Sequence, residues 1–269
     1  MWIYSSQLTL LLVSMVTLLL LVWLVTGSNP MREIGTAIRA MRQDIRFLIS
    51  LILAFGMLLV DAIETYFEPG LARSVPWDFT PELAKYGTDL IRLLQRAEWA
   101  PLTHLLTFVY IVAFPLLMLA CFAAYAARHD LVALKRLLIA TFLNYLTALP
   151  FYLLLPVREA WTAAEGVRFL IPTVYTAFEE QYRTFSALDN SFPSLHTSLV
   201  LTYTLIACRN GYRRMAGVMT VMSGLVMMST LYLGVHWVFD MVAGAGVAVM
   251  ASGWLPGFAP APTLAAHEQ

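Results

Sequence analysis

Two histidines, an aspartate and a serine are the residues of this chain whose types and spacing allow chemistry. His196 lies in "SFPSLHTSLV", just after Pro193 and Ser194, where a long apolar run begins. His236 and Asp240 stand four apart in "HWVFD". On a helix that spacing puts both on one face, so Asp240 can accept the Nδ1–H of His236. Such a bond fixes the tautomer, leaves Nε2 as an outward lone pair and stabilises positive charge on the ring. The pair is an activated nucleophile with its orienting acid, and His196 supplies a proton donor and acceptor. Helix N-termini offer free N–H groups and a positive dipole end, which suit a phosphate. Ser194 adds a hydroxyl donor, and Pro193 in a first turn forfeits no helix hydrogen bond. A lone histidine at a helix end is more often merely interfacial. The intramembrane acid shifts the balance, because an unpaired aspartate in an apolar span is costly.

These residues must be positioned by membrane-spanning helices. Of 269 residues, 59% are hydrophobic and 13% charged, and the mean hydropathy is +0.71. A soluble domain cannot cover that much apolar surface with so few charges. The expected fold is all-α, a polytopic transmembrane helical bundle of about seven spans, since each span needs roughly 20 apolar residues. The stretches are 8–25, 46–65, 102–126, 134–155, 193–208, 216–233 and 235–254. The zero formal net charge and the lack of a basic block give no sign of nucleic-acid binding. Cys121 and Cys208 lie in apolar stretches, which predicts neither a disulfide framework nor a cysteine metal site. The N-terminus has no positive charge before its apolar run and no small-x-small cleavage site, so 8–25 reads as a retained span.

Loop charge sets the orientation. Arg32, Arg39, Arg42 and Arg46 follow the first span, Arg128, Lys135 and Arg136 the third, and Arg209, Arg213 and Arg214 the fifth. Seven spans put all three clusters on one face, the cytoplasmic one, with the N-terminus outside and the C-terminus inside. Two crossings separate His196 from His236, so both return to the outer face. Residues 1–45 are read as an extra span and a cytoplasmic loop, 46–256 as the catalytic bundle and 257–269 as a disordered tail. Leu83, Tyr86, Leu90 and Leu94 recur at helical spacing, which predicts an amphipathic helix in the outer interface, or a small soluble cap.

At these motifs the sequence resembles the type 2 phosphatidate phosphatase superfamily of membrane lipid phosphatases and phosphotransferases. "PSLH" (Pro193–His196) is similar to that family's Pro-Ser-x-His motif, and "STLYLGVHWVFD" (Ser229–Asp240) to its Ser-Arg-x5-His-x3-Asp motif. The resemblance covers residues 134–254. It implies that His236 attacks phosphorus to form a phosphohistidine, with Asp240 in support. It implies that His196 protonates the leaving alcohol and then activates the acceptor, and that neither metal nor cofactor is needed. Two departures stand out. Thr230 replaces the motif arginine. In "LLLPVREAW" only Arg158 survives from Lys-x6-Arg-Pro, with Phe151 at the lysine and Glu159 at the proline. Arg158 and Ser194 become the expected phosphate ligands, with Arg168 and Arg183 of the same outer loop in reserve. The losses resemble the inositol phosphorylceramide synthase branch, so transfer to an alcohol stands beside hydrolysis. The expected partners are a lipid phosphate and the surrounding membrane lipids.

Weaker signals surround this core. Asp61 and Glu64 share a face at the outer end of the second span, as a structural pair or as head-group ligands. His104 opens the third span as an interfacial residue or a site contact. Asn144, inside a span, is expected to join helices. The rival readings are a bis-histidine haem protein built on His196 and His236, and a non-catalytic transporter or receptor that kept the fold.

Overall fold

The computed structural model describes Tyr4 and residues 6–49, 51–53, 56, 75–182 and 188–253. Asp61, Glu64, Arg183, the tail 257–269 and most of the expected span 46–65 lie outside the described residues. The eight principal helices are α1 (Gln7–Thr26), α2 (Pro30–Gln43), α3 (Thr80–Arg96), α4 (Ala100–Ala127), α5 (Leu131–Leu154), α6 (Leu195–Arg209), α7 (Arg213–Tyr232) and α8 (Val238–Gly253). Short turns, Ala160–Ala163, Ile171–Thr173 and Phe178–Tyr182, punctuate the loop between α5 and α6. Among the described residues there is no strand; the sole β pairing is a parallel bridge between Val157 and Asn190.

α1, α4, α5 and α7 are long and apolar enough to cross a membrane, and α8 is a shorter apolar helix. The protein is an all-α membrane helical bundle. α6 and α8 have 15 and 16 residues, about 22–24 Å of helix, and the chain enters each from a non-helical segment. α6 packs against α5, α7 and α8, and lies at the centre.

The bundle has two distinct ends. At one, Val25, Tyr125, Leu134, Ile206 and Met215 join the core where α1, α4 and α6 finish and α5 and α7 begin. At the other, Leu106, Leu170, Tyr232 and Val235 pack together beside a cluster around Ile91, Val157 and Trp237. α1 runs between the ends. Tyr4 stacks on Tyr175 of the α5–α6 loop, while Arg214 lies over Trp23 and donates to the Leu24 carbonyl.

α2 departs from expectation, for residues 30–43 read as a loop. Asn29 caps it by accepting from the Met31 and Arg32 N–H groups, and Pro30 occupies its first turn. Ala37 and Ala40 are buried, Met31 and Ile38 are exposed, and Arg32, Arg39 and Arg42 take the remaining side. Weighing charge alone concealed this periodicity.

α3 has three faces. Gly87, Ile91 and Gln95 face the protein, Tyr86, Leu90 and Leu93 are exposed apolar residues, and Glu82, Lys85, Asp89 and Arg96 are exposed and charged. The Gln95 amide donates to the carbonyls of Arg168 and Tyr232 and accepts from the Arg168 N–H. A helix with protein, apolar and charged sides fits a membrane–water boundary.

Candidate active site

The site begins at the α7–α8 turn. Gly234 has φ +82, and a Cβ there would meet the Arg168 carbonyl oxygen at 2.5 Å, so glycine is required. The Val235 and His236 N–H groups both return to the Thr230 carbonyl. The neighbouring loop straps the turn: Ala160 N–H donates to Val235, Trp161 N–H to Gly234 and Leu170 N–H to Leu233. The helix then starts at Val238, so His236 stands in the non-helical segment before it rather than in the first turn expected for it.

Asp240 serves two purposes. Its Oδ2 accepts the Trp237 N–H at 2.8 Å, capping its own helix. The same oxygen lies 3.2 Å from His236 Nδ1 and accepts the Ser191 hydroxyl at 2.5 Å. Asp240 is fully buried and His236 nearly so. With Ser191 donating to Asp240, the His236 Nδ1 proton also points to this acid cluster, and Nε2 is left as the lone pair. That lone pair faces His196 Nδ1 at 3.4 Å.

His196 is the second residue of α6. Ser194 is the N-cap; it is fully buried, and its Oγ accepts the Thr197 N–H at 3.3 Å. The proline therefore precedes the helix instead of lying in its first turn. The Pro193 carbonyl accepts the Tyr152 hydroxyl at 2.9 Å, and the peptide bond before it is cis. Ser194 N–H donates to the Asp240 carbonyl, and Gly244 lets α8 approach α6, since a Cβ there would meet the Ser194 carbonyl oxygen at 2.5 Å. Asn144 joins α5 to α6 through Thr202, the interhelical role expected of it.

The remaining expected ligands are more dispersed. Arg158 lies on the extended segment paired with residues 188–191, and its carbonyl accepts the Trp237 indole N–H. Its half-exposed guanidinium meets Asp78 at 3.5 Å. Burial pushes the nearby Asp189 carboxyl up while Arg158 pulls it down. Arg168 is exposed and pairs with Glu98. His104 is exposed, with Nδ1 2.7 Å from the Ala100 carbonyl. Thr230, at the motif-arginine position, is buried and turns its hydroxyl back to Met227, as Ser229 does to Val226. Among the described residues no group of three or more His, Cys, Asp or Glu can hold a metal.

Sequence reading missed Ser191, which reaches Asp240 only through tertiary pairing of the two loop segments. It also missed Tyr110 and Phe114 of α4, whose rings lie against His196 with centroids 4.5 and 4.8 Å away. Their one signal was Pro115 inside an expected span.

The described bundle thus presents two opposed histidines, one of them braced by a buried aspartate. Residues 85–254 match the PAP2 superfamily, and the chain belongs to that superfamily of membrane lipid phosphatases. The crystal structure of Aquifex aeolicus LpxE is similar at 19% identity and a TM-score of 0.49, over 62% of this chain and 92% of that one. No curated protein sequence matches. Membership of this superfamily of lipid phosphatases favours the phosphatase reading over the haem one.

Proposed function

We propose that the protein cleaves the phosphoryl group from a lipid phosphate through a phosphohistidine on His236. The observation that supports this is one continuous line of contacts, from Asp240 Oδ2 through His236 to His196 Nδ1. The His236 Nε2 lone pair forms the N–P bond as the P–O bond breaks. The bonding pair passes to the leaving oxygen, which takes a proton from His196, and Asp240 supports the positive charge on His236. Water, deprotonated by His196, then attacks phosphorus as the N–P bond breaks and its pair returns to His236 Nε2, and phosphate is released. In-line attack puts phosphorus between Nε2 and the leaving oxygen, so the two rings must part as substrate enters.

Arg158 is the cation we assign to the phosphate. Its partner Asp78 is half-exposed, and such a pair holds weakly. Ser194 serves mainly through the helix start that it caps, with Arg168 secondary. No metal is required in this scheme, because the charge falls on guanidinium and helix N–H groups. The acceptor can also be an alcohol, as in the inositol phosphorylceramide synthase branch; what favours that second reading is Thr230 in place of the motif arginine. The site is assigned to the outer membrane face.

The deciding experiment supplies purified protein with labelled phosphatidate or ceramide-type phospholipid, with and without inositol, in EDTA. Released phosphate identifies the hydrolase, and a labelled inositol phosphomonoester identifies the transferase. Activity persists in EDTA. His236→Ala abolishes both turnover and an acid-labile phosphoprotein band. Full turnover by His236→Ala would sink the phosphohistidine scheme, and loss of activity in EDTA would sink the metal-free one.

A further inference from the structure

α4 contains a widened, π-helical turn at Val109–Ala113. Its cause is Pro115, which has no N–H for the carbonyl four residues back and crowds that turn. Such turns often coincide with functional sites. Here Tyr110 lies within the π turn and Phe114 directly follows it, and both rings meet one target. Tyr110 is nearly parallel to the His196 ring, at 21°, and Phe114 is tilted at 37°. His196 in turn stands edge-on to His236 at 5.6 Å. The contact falls at Tyr110, roughly 15 Å along α4 from its start, so it sits inside the bundle. Nothing in the two histidine motifs specifies it.

We propose that Tyr110 and Phe114 are positioning residues for His196. Resting on the reading of His196 as the acid, the inference gives the two rings a specific task. Offset stacking favours one ring plane over others and leaves displacement within that plane free. His196 can therefore part from His236 for the phosphoryl group while a ring nitrogen stays aimed at the leaving oxygen. The proton transferred is the one already described, and Tyr110 and Phe114 exchange none.

The test uses leaving-group chemistry. A phosphatidate expels an alkoxide that needs a proton, whereas p-nitrophenyl phosphate expels a phenolate that leaves unprotonated. kcat/KM reports the steps up to phosphoenzyme formation, where the acid acts. The full chain is assayed in micelles as wild type, His196→Ala, Tyr110→Leu, Phe114→Leu, Tyr110→Phe and Phe114→Tyr. The expected result is that both leucine variants lower the kcat/KM ratio of phosphatidate to nitrophenyl phosphate roughly tenfold or more, in the direction of His196→Ala. The aromatic replacements restore the wild-type ratio. A packing defect lowers both substrates alike; an unchanged ratio in the leucine variants, with a shifted ratio in His196→Ala, overturns the positioning role alone. An unchanged ratio in His196→Ala removes the acid role itself. Should a leucine variant fail to fold, Tyr110→Trp and Phe114→Trp keep an aromatic face and must keep the ratio, and a fall there counts equally against the proposal.

Discussion

One carboxylate oxygen, Asp240 Oδ2, receives the Trp237 N–H, the His236 ring and the Ser191 hydroxyl. Buried acids stay ionised only when donors surround them, so each donor helps to hold the His236 tautomer. Asp240→Asn places an amide where three donors already point. We expect it to lower kcat by at least about a hundredfold while leaving the lipid KM within a small factor, as steady-state kinetics will check. Ser191→Ala removes one donor of three. Its expected cost is about 1–3 kcal/mol of stability and roughly tenfold in kcat, measured by thermal unfolding and turnover together. Undiminished turnover in Ser191→Ala would show that the hydroxyl serves packing alone. His196, His236 and Asp240 were legible because their spacing is local and their polarity is anomalous within apolar runs. Ser191 was not, because its position depends on residues 157–159 pairing with 188–191, a long-range match that no local spacing encodes.

The helices were legible from apolar run length, and their starts were not. The spans expected at 193–208 and 235–254 begin at Leu195 and Val238, because Ser194 and Asp240 set the caps. That shift matters, since it leaves His236 ahead of the helix, where the loop can strap the turn. Close approach of α6 and α8 then depends on a small residue, as is usual between membrane helices. Gly244 and Gly246 make a controlled comparison on one helix. A Cβ at Gly244 strikes the Ser194 backbone at 2.5 Å, whereas one at Gly246 meets nothing within 4 Å. Gly244→Ala is expected to cost about 1–3 kcal/mol and to depress activity by displacing the start of α6. Gly246→Ala is expected to be neutral or stabilising by up to about 1 kcal/mol. Thermal unfolding of the two variants in the same detergent decides it, and equal shifts would remove the close-approach argument. The π turn in α4 shows a different limit of sequence reading: Pro115 announces an irregularity, but only the fold shows which histidine its rings meet.

At the scale of the whole molecule, loop charges and helix ends agree. Arg136 donates to Asn210, Arg128 lies over Tyr212 and Arg214 holds the end of α1. All three contacts fall at the end of the bundle opposite the histidines. Counting crossings in the sequence had placed His196 and His236 on one face, and their 3.4 Å contact is the packing outcome of that count. The exposed apolar sides of α3 and α8 meet where Tyr86 lies edge-on to Phe239 at 6.5 Å, beside Trp237 and the α7–α8 turn. This continuity favours a site served from the bilayer surface rather than from bulk water. The positive-inside rule predicts its sidedness, and that prediction is open to direct measurement. Glu165 is exposed in the loop at the histidine end and Arg213 is exposed at the other. With Cys208 changed to serine, since it is exposed while Cys121 is buried, a single cysteine is introduced at either position. Glu165→Cys should react with a membrane-impermeant maleimide in intact cells, and Arg213→Cys only after permeabilisation. The reverse pattern would put the histidine pair at the cytoplasmic face, and its substrate in the inner leaflet.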